Sequence, residues 1–315
     1  MDYNPYYNPH KIIHQLFKMT TEPLTYSQLE LAFTRWASSQ PDVRAVVVIG
    51  SRARVDHPAS EWSDLDLLVF TNQPGESVAK TDWLASIGEV QFTARERFAR
   101  DDWIPLVVIF TGMRKVDIVF TLIPSSCSPH DELNNVLAAS PYPHVFSHGI
   151  KILYDRYPSN TSIALPLGLG YSPSLPSQDE FTNDVNLFWV HAIHTGILIQ
   201  CGERWRACNQ LQVELKGSLL IFIERQARLH YGMEHKIWPR GCYLEDWADQ
   251  RILAALPQCF SGNPSCNLWQ ALMATCDLFH WLAVEVAGGL GYIYPTASES
   301  CTREWINCAY TSDLL

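Results

Sequence analysis

Asp64-Leu65-Asp66 opens an apolar run, Leu65 to Thr71 (LDLLVFT). In a strand, alternate residues face the same side. Asp64 and Asp66 therefore project together, with Leu65 buried behind them. Two carboxylates on one face repel each other unless a cation sits between them. Magnesium suits such a pair, because it prefers hard oxygen ligands and shares its shell with substrate phosphates. Upstream, a β-branched run from Arg44 to Ile49 (RAVVVI) ends in Gly50-Ser51-Arg52, with twelve residues between Ser51 and Asp64. Gly50 lets the backbone approach a phosphate closely, and Ser51 offers it a hydroxyl donor. A third acid, Asp117, lies in Lys115-Val116-Asp117-Ile118-Val119. An acid amid Val, Ile and Phe is costly to bury without a partner. If its strand neighbours the one carrying Asp66, Asp117 joins the metal site or takes the proton of an attacking hydroxyl. Taken singly, each feature has an ordinary explanation: a Gly-Ser turn, an exposed Asp-x-Asp strand edge, a surface-facing strand aspartate. In this order, each on its strand, the three together point to metal-assisted nucleotidyl transfer.

These residues need a sheet to hold them. The runs 44–49 and 65–71 read as strands, as do Leu106 to Thr111 (LVVIFT) and Lys115 to Thr121 (KVDIVFT). Only Gly112 to Arg114 separate the last two, which predicts a hairpin. Ile150 to Tyr154 and Glu89 to Thr93 are shorter strand candidates. A helix is predicted from Thr25 to about Ser39, with helical patches at Thr81–Ile87 and Asp131–Ala139. The first domain is thus mixed α/β with a partly antiparallel sheet. Residues 156–178, rich in Pro, Ser and Gly, read as a linker. Ser177-Gln178-Asp179-Glu180 then forms a capping box, opening a helix to about Gly202. Further helices are predicted near Arg204–Gly232, Leu244–Leu256 and Asn267–Ala287. The expected organisation is an arm (1–23), a catalytic domain (24–155), a linker (156–178) and a helical bundle (179–315). The arm packs on the body through Tyr6, Tyr7 and Leu16 in this reading.

Composition narrows the class. The chain has 315 residues, 47% of them hydrophobic, and a formal net charge of −10. Such acidity disfavours nucleic acid, which needs clustered Lys and Arg. The nine cysteines all lie from Cys127 onward, without a CxxC pair. They read as small buried hydrophobes in a reducing compartment. With no signal pattern and no long uninterrupted apolar window, the expectation is a cytoplasmic protein that engages neither membrane nor nucleic acid. His191 and His194 stand three apart on a predicted helix with no acidic or thiolate partner evident, so packing or solvent exposure is the better reading. The acids Asp179, Glu180, Asp184, Glu203 and Glu214 can attract amines, although a solvated helical face explains them equally well.

The set GSR…SDLDLLVF…KVDIVFTLIP resembles the polymerase-beta-type nucleotidyltransferase superfamily, and within it the aminoglycoside 6-adenylyltransferase (streptomycin adenylyltransferase) family. The likeness runs from about residue 25 to the C-terminus and includes Phe188-Trp189, Leu278–Val286 and Tyr292-Ile293-Tyr294-Pro295. The resemblance implies an α+β fold, a nucleotidyltransferase-type mixed sheet followed by a helical bundle. It implies that Asp64 and Asp66 hold two Mg²⁺ ions and that Gly50 and Ser51 hold the triphosphate of ATP, with Arg52 nearby. Asp117 is then the third ligand or the base. A small hydroxylated acceptor, aminoglycoside-like in the first instance, attacks the α-phosphorus and pyrophosphate leaves. The helical domain supplies the acceptor pocket, with Trp189 and Glu180 as its candidate residues. Lys216, Arg225, Arg228, Lys236 and Arg240 are its candidates for neutralising phosphate. Two other readings stay open: the same chemistry on another metabolite or natural-product intermediate, and a catalytically silent nucleotide-binding protein.

Overall fold

The computed structural model describes residues 23–313, apart from 55–56, 96–102, 125, 129, 141–145, 147–148, 159–174, 234, 236 and 261–267. The predicted arm, except Pro23, and most of the predicted linker lie outside the described residues. The chain divides into two units, residues 1–170 and 171–315.

The first unit opens with α1 (Tyr26–Ser39). Thr25 caps it, accepting from the Gln28 amide while the Gln28 side chain accepts from the Thr25 amide. This reciprocal pairing satisfies two of the free donors of the first turn. The strands are β1 (Val43–Ile49), β2 (Leu65–Thr71), β3 (Val90–Ala94), β4 (Trp103–Phe110), β5 (Arg114–Leu122) and β6 (Lys151–Asp155), with short helices α2 (Pro74–Ala79) and α3 (Leu133–Ala138) between them. They form one sheet in the order β3-β4-β5-β2-β1-β6. Only β2 and β5 pair in parallel; every other neighbour is antiparallel. β4 and β5 are the predicted hairpin, turned through Gly112 at φ +77° and Met113 at φ +58°. β4 starts three residues before its predicted start and includes Pro105. β3 reaches only to Val107 on that side, so the missing amide of Pro105 breaks no β3–β4 pairing.

Alternation sorts the side chains onto two faces. Leu65, Leu67, Val69, Val116, Ile118 and Phe120 turn to one core, where α1 contributes Leu29, Phe33 and Trp36. Trp36 stacks on Trp83 at 4.2 Å. Ala45, Val47, Leu68 and Phe70 turn to the other core, against Leu133, Val136 and Leu137 of α3. The predicted patch at 81–87 is 3-10 helix, Asp82–Ser86.

The second unit is helical: α4 (Gln178–Gln200), α5 (Arg204–Gln210), α6 (Lys216–Tyr231), α7 (Leu244–Trp247), α8 (Gln250–Ala255), α9 (Leu268–Leu290) and α10 (Thr296–Asp313). The predicted helix over 204–232 is interrupted by a π turn at Leu211–Leu215 and ends at Gly232 with φ +95°. Phe188 of α4 lies flat on Phe279 of α9, with ring centroids 3.5 Å apart. α9 alone is long and apolar enough, among the described residues, to suit a membrane by composition. Here it is a core helix, with Leu272, Phe279, Leu282, Ala283 and Val286 fully buried. The cysteines depart from expectation: Cys259 and Cys276 are buried, but Cys201, Cys242, Cys301 and Cys308 are exposed.

α10 was not predicted. Its sequence is rich in Ser, Thr and Cys, and it buries only Glu299, Thr302 and Ile306. Those three sit at helical spacing, so a thin stripe holds it. Glu299 accepts hydrogen bonds from Tyr294 Oη (2.8 Å) and Arg303 Nε (2.6 Å) and pairs with His280 Nδ1 (2.7 Å). Burial pushes its carboxyl up. The bonds from Arg303, Tyr294 and His280 outweigh that and hold it below the ordinary glutamate range. Stability from a carboxylate held low is present above its unfolded pKa and is lost as pH falls through the folded one. Glu299→Gln is expected to destabilise the helical unit by about 1–3 kcal/mol at pH 7. In thermal melts the gap from the parent narrows as pH falls below the glutamate range; a gap independent of pH would contradict the account.

Candidate active site

The parallel register of β2 and β5 sets Leu65 beside Val116 and Asp66 beside Asp117. With alternating faces, this brings Asp64, Asp66, Lys115 and Asp117 onto one face of two neighbouring strands. One oxygen from each of the three aspartates lies within 4.8 Å of the others. The three predicted carboxylates are thus brought together, and among the described residues they are the one group of His, Cys, Asp or Glu with such spacing.

Gly50 stands at the other side of this cluster. It leaves β1 at φ +67° and opens a 3-10 turn, Gly50–Arg52. A Cβ built on Gly50 would overlap the Asp66 carboxylate. Only glycine therefore satisfies both the left-handed backbone and the close approach. The Ser51 hydroxyl and Asp117 Oδ1 are buried without a hydrogen-bond partner. Uncompensated polar atoms of this kind ask for a ligand. The donor set fits a hard divalent cation: carboxylate oxygens from two strands, with no thiolate or imidazole among them.

Electrostatics point the same way. Burial, then Asp64 and Asp117, push the Asp66 carboxyl up to about 7, against the pull of Lys115 and Arg54. In the metal-free protein the folded chain thus keeps a proton that the unfolded chain has lost. Stability therefore falls as pH rises from the ordinary carboxylate range through 7. A cation at the cluster reverses that penalty.

Lys115 was not singled out in the sequence. Its Nζ donates to Asp64 Oδ2 at 2.8 Å and to Asp117 Oδ2 at 2.7 Å. Burial works to lower its pKa, but the two carboxylates hold it above the ordinary lysine range. The signal was present: K-V-D and D-L-D share one alternation, and parallel pairing superimposes them. Arg54 was also missed, and its charge acts on Asp66.

Arg52, expected near the phosphates, is turned to the loop before Asp64. Its Nε donates to the Asp64 carbonyl (3.0 Å), and its Nη2 to those of Ser63 (2.7 Å) and Ser60 (3.2 Å). Its guanidinium lies 3.6 Å from the centre of the Tyr26 ring. Arg52 thus fixes the backbone from which Asp64 projects.

Residues 25–308 match the Streptomycin adenylyltransferase family. The chain belongs to that family. It is therefore an enzyme of the nucleotidyltransferase class. It is similar to the aminoglycoside 6-adenylyltransferase of Bacillus subtilis (strain 168), with 22% identity over 285 residues, 88% of this chain and 96% of that protein. It is similar also to the aminoglycoside 6-adenylyltransferase of Campylobacter jejuni, with 20% identity over 273 residues, 85% of this chain and 90% of that protein. Among solved structures it resembles an aminoglycoside 6-adenyltransferase from Bacillus subtilis, with 16% identity, 91% of this chain and 99% of that chain covered, and a TM-score of 0.41.

The residues expected to meet the acceptor have other work in the helical unit. Trp189 is buried in the core, and its Nε1 donates to Tyr294 Oη at 3.2 Å. Glu180 closes the cap of α4, accepting from the Ser177 amide at 2.7 Å. Three of the basic candidates also make bonds within the unit. Lys216 donates to Thr275 Oγ1 (3.0 Å), Arg225 to Asp184 (2.6 Å) and Arg228 to the Met233 carbonyl (2.6 Å). Lys236 lies outside the described residues.

Gly50→Ala tests the close approach. The added methyl group displaces Asp66 and strains the turn by about 1–2 kcal/mol. Nucleotidyl transfer is expected to fall about a hundredfold, the cost of a misplacement near 1 Å, while far-UV circular dichroism stays unchanged. Full activity in Gly50→Ala would show that the glycine is not needed against Asp66.

Proposed function

We propose that this enzyme moves AMP from ATP to a hydroxyl of a small, aminoglycoside-like acceptor and releases pyrophosphate. The observation that carries the reading is the in-register aspartate cluster, with Asp117 Oδ1 and Ser51 Oγ buried and unpartnered beside it. The names of the similar proteins support the acceptor class.

In this reading Asp64, Asp66 and Asp117 hold Mg²⁺, two ions in the full complement. The metal, when bound, neutralises phosphate charge and polarises the phosphorus. The chain's own residues then do four things. Gly50 keeps the backbone open where the phosphates approach, and Ser51 donates its hydroxyl to a phosphate oxygen. Arg52 holds the loop that carries Asp64. Asp117 uses its free oxygen as the third ligand. The acceptor oxygen forms a bond to the α-phosphorus, the bond from that phosphorus to the bridging oxygen breaks, and pyrophosphate leaves with the electron pair. The acceptor's proton passes to a carboxylate of the cluster or to water. Such chemistry needs mainly positioning and charge neutralisation. An ATP donor and a free small-molecule acceptor are consistent with a cytoplasmic setting.

The test is pyrophosphate release from ATP and Mg²⁺ with a panel of aminoglycosides and other polyols. Release is expected to depend on an aminoglycoside and to fall by at least about a thousandfold in Asp64→Asn/Asp66→Asn. Stimulation by non-aminoglycoside polyols alone would move the acceptor to another metabolite. ATP binding without release for any acceptor would sink the transfer reading.

A further inference from the structure

We propose that Lys115 is a resident counter-cation of the aspartate cluster, which competes with the divalent metal for Asp64 and couples metal binding to nucleotide binding. The proposal rests on the metal-site reading above and adds a role to a residue outside the ligand set.

Parallel register puts Lys115 on the same face as Asp64, Asp66 and Asp117. Its ammonium bridges Asp64 Oδ2 and Asp117 Oδ2 at 2.8 and 2.7 Å. Three aspartates this close carry a charge that the fold must balance, and the bridging ammonium is the cation in direct contact with two of them. Its side chain is 42% exposed. The head group can therefore swing on its flexible stem without opening the core.

A divalent ion held by Asp64 and Asp66 brings two positive charges next to that ammonium. Like charges at this range repel strongly in a half-buried site. Lys115 must then loosen its hold on Asp64, and its charge needs a new anion. A nucleoside triphosphate beside the cluster supplies one. Metal alone is opposed by Lys115; metal together with a triphosphate is not. By linkage, the nucleotide then raises metal affinity and the metal raises nucleotide affinity by the same factor.

Mn²⁺ binding, read by electron paramagnetic resonance, tests this on the full chain with and without α,β-methylene-ATP. Without nucleotide, Lys115→Met is expected to bind Mn²⁺ about tenfold tighter than the parent, and to lose about tenfold of the enhancement that the analogue produces. Lys115→Arg keeps the charge and should follow the parent in both measurements. Equal or weaker Mn²⁺ binding by Lys115→Met, or an unchanged enhancement, would overturn the proposal. If Lys115→Met does not fold without metal, recovery of its fold by Mn²⁺ supports the stand-in role and failure to recover it counts against it. Asp64→Asn/Asp66→Asn separates the two levels of the argument. Parent-like Mn²⁺ binding in that variant defeats the metal-site reading itself. Loss of binding there, with Lys115→Met like the parent, defeats the role of Lys115 alone.

Discussion

The constraint on which the site depends is the parallel, in-register pairing of β2 with β5. Every other strand pair in the sheet is antiparallel. This one places Asp66 beside Asp117 and therefore sets like charges side by side in a half-buried position. Alone, that arrangement is unfavourable: burial and the neighbouring acids raise Asp66 to about 7. It persists because the same two strands also bury Leu65, Leu67, Val116, Ile118 and Phe120 on the opposite face. A one-residue slip would take those apolar side chains out of that core. The hydrophobic core thus enforces a charge arrangement that electrostatics opposes, and the strain remains where a cation can relieve it.

Around that pair, the neighbouring elements limit movement rather than add charge. The turn at Gly50 closes on Asp66 because no Cβ intervenes. Arg52 binds three carbonyls of the loop before β2, those of Ser60, Ser63 and Asp64. Its guanidinium rests on Tyr26, the first residue of α1. A helix on one face thereby fixes a loop whose carboxylate projects from the other. Placement within about half an ångström is what transfer chemistry of this kind demands.

Much of this arrangement was legible in the sequence, and for physical reasons. β2 is legible at its observed limits because it is a continuous apolar run interrupted only by Asp66. The capping box at Ser177 marks a helix start by side-chain chemistry that needs no tertiary context. The three aspartates were recognisable because acids inside apolar runs require an explanation. What escaped depends on contacts between distant segments. Lys115 reads as an ordinary strand-end lysine until β5 is set parallel to β2. Arg52 reads as a phosphate ligand until the loop carbonyls are seen to take its donors. α10 lacks a broad apolar stripe, and its place is fixed by Glu299 in a bonding network with residues of α9 and of the segment after it.

Asp66 and Glu299 show two opposite ways of holding an acid. In the first unit, polar atoms around the aspartate cluster are left unsatisfied: Asp117 Oδ1 and Ser51 Oγ have no partner, and Asp66 holds a raised pKa. In the second, the acid that packing would strand is instead compensated, since Glu299 receives three partners and is held low. Trp189 follows that pattern, its ring in the core and its one donor given to Tyr294. A group whose bonds are all made within the protein stabilises the fold and has little left for a ligand. A group left short of partners at a site the fold cannot relax is where binding energy is released. By that criterion the aspartate cluster on the β2–β5 face is a place prepared for a ligand.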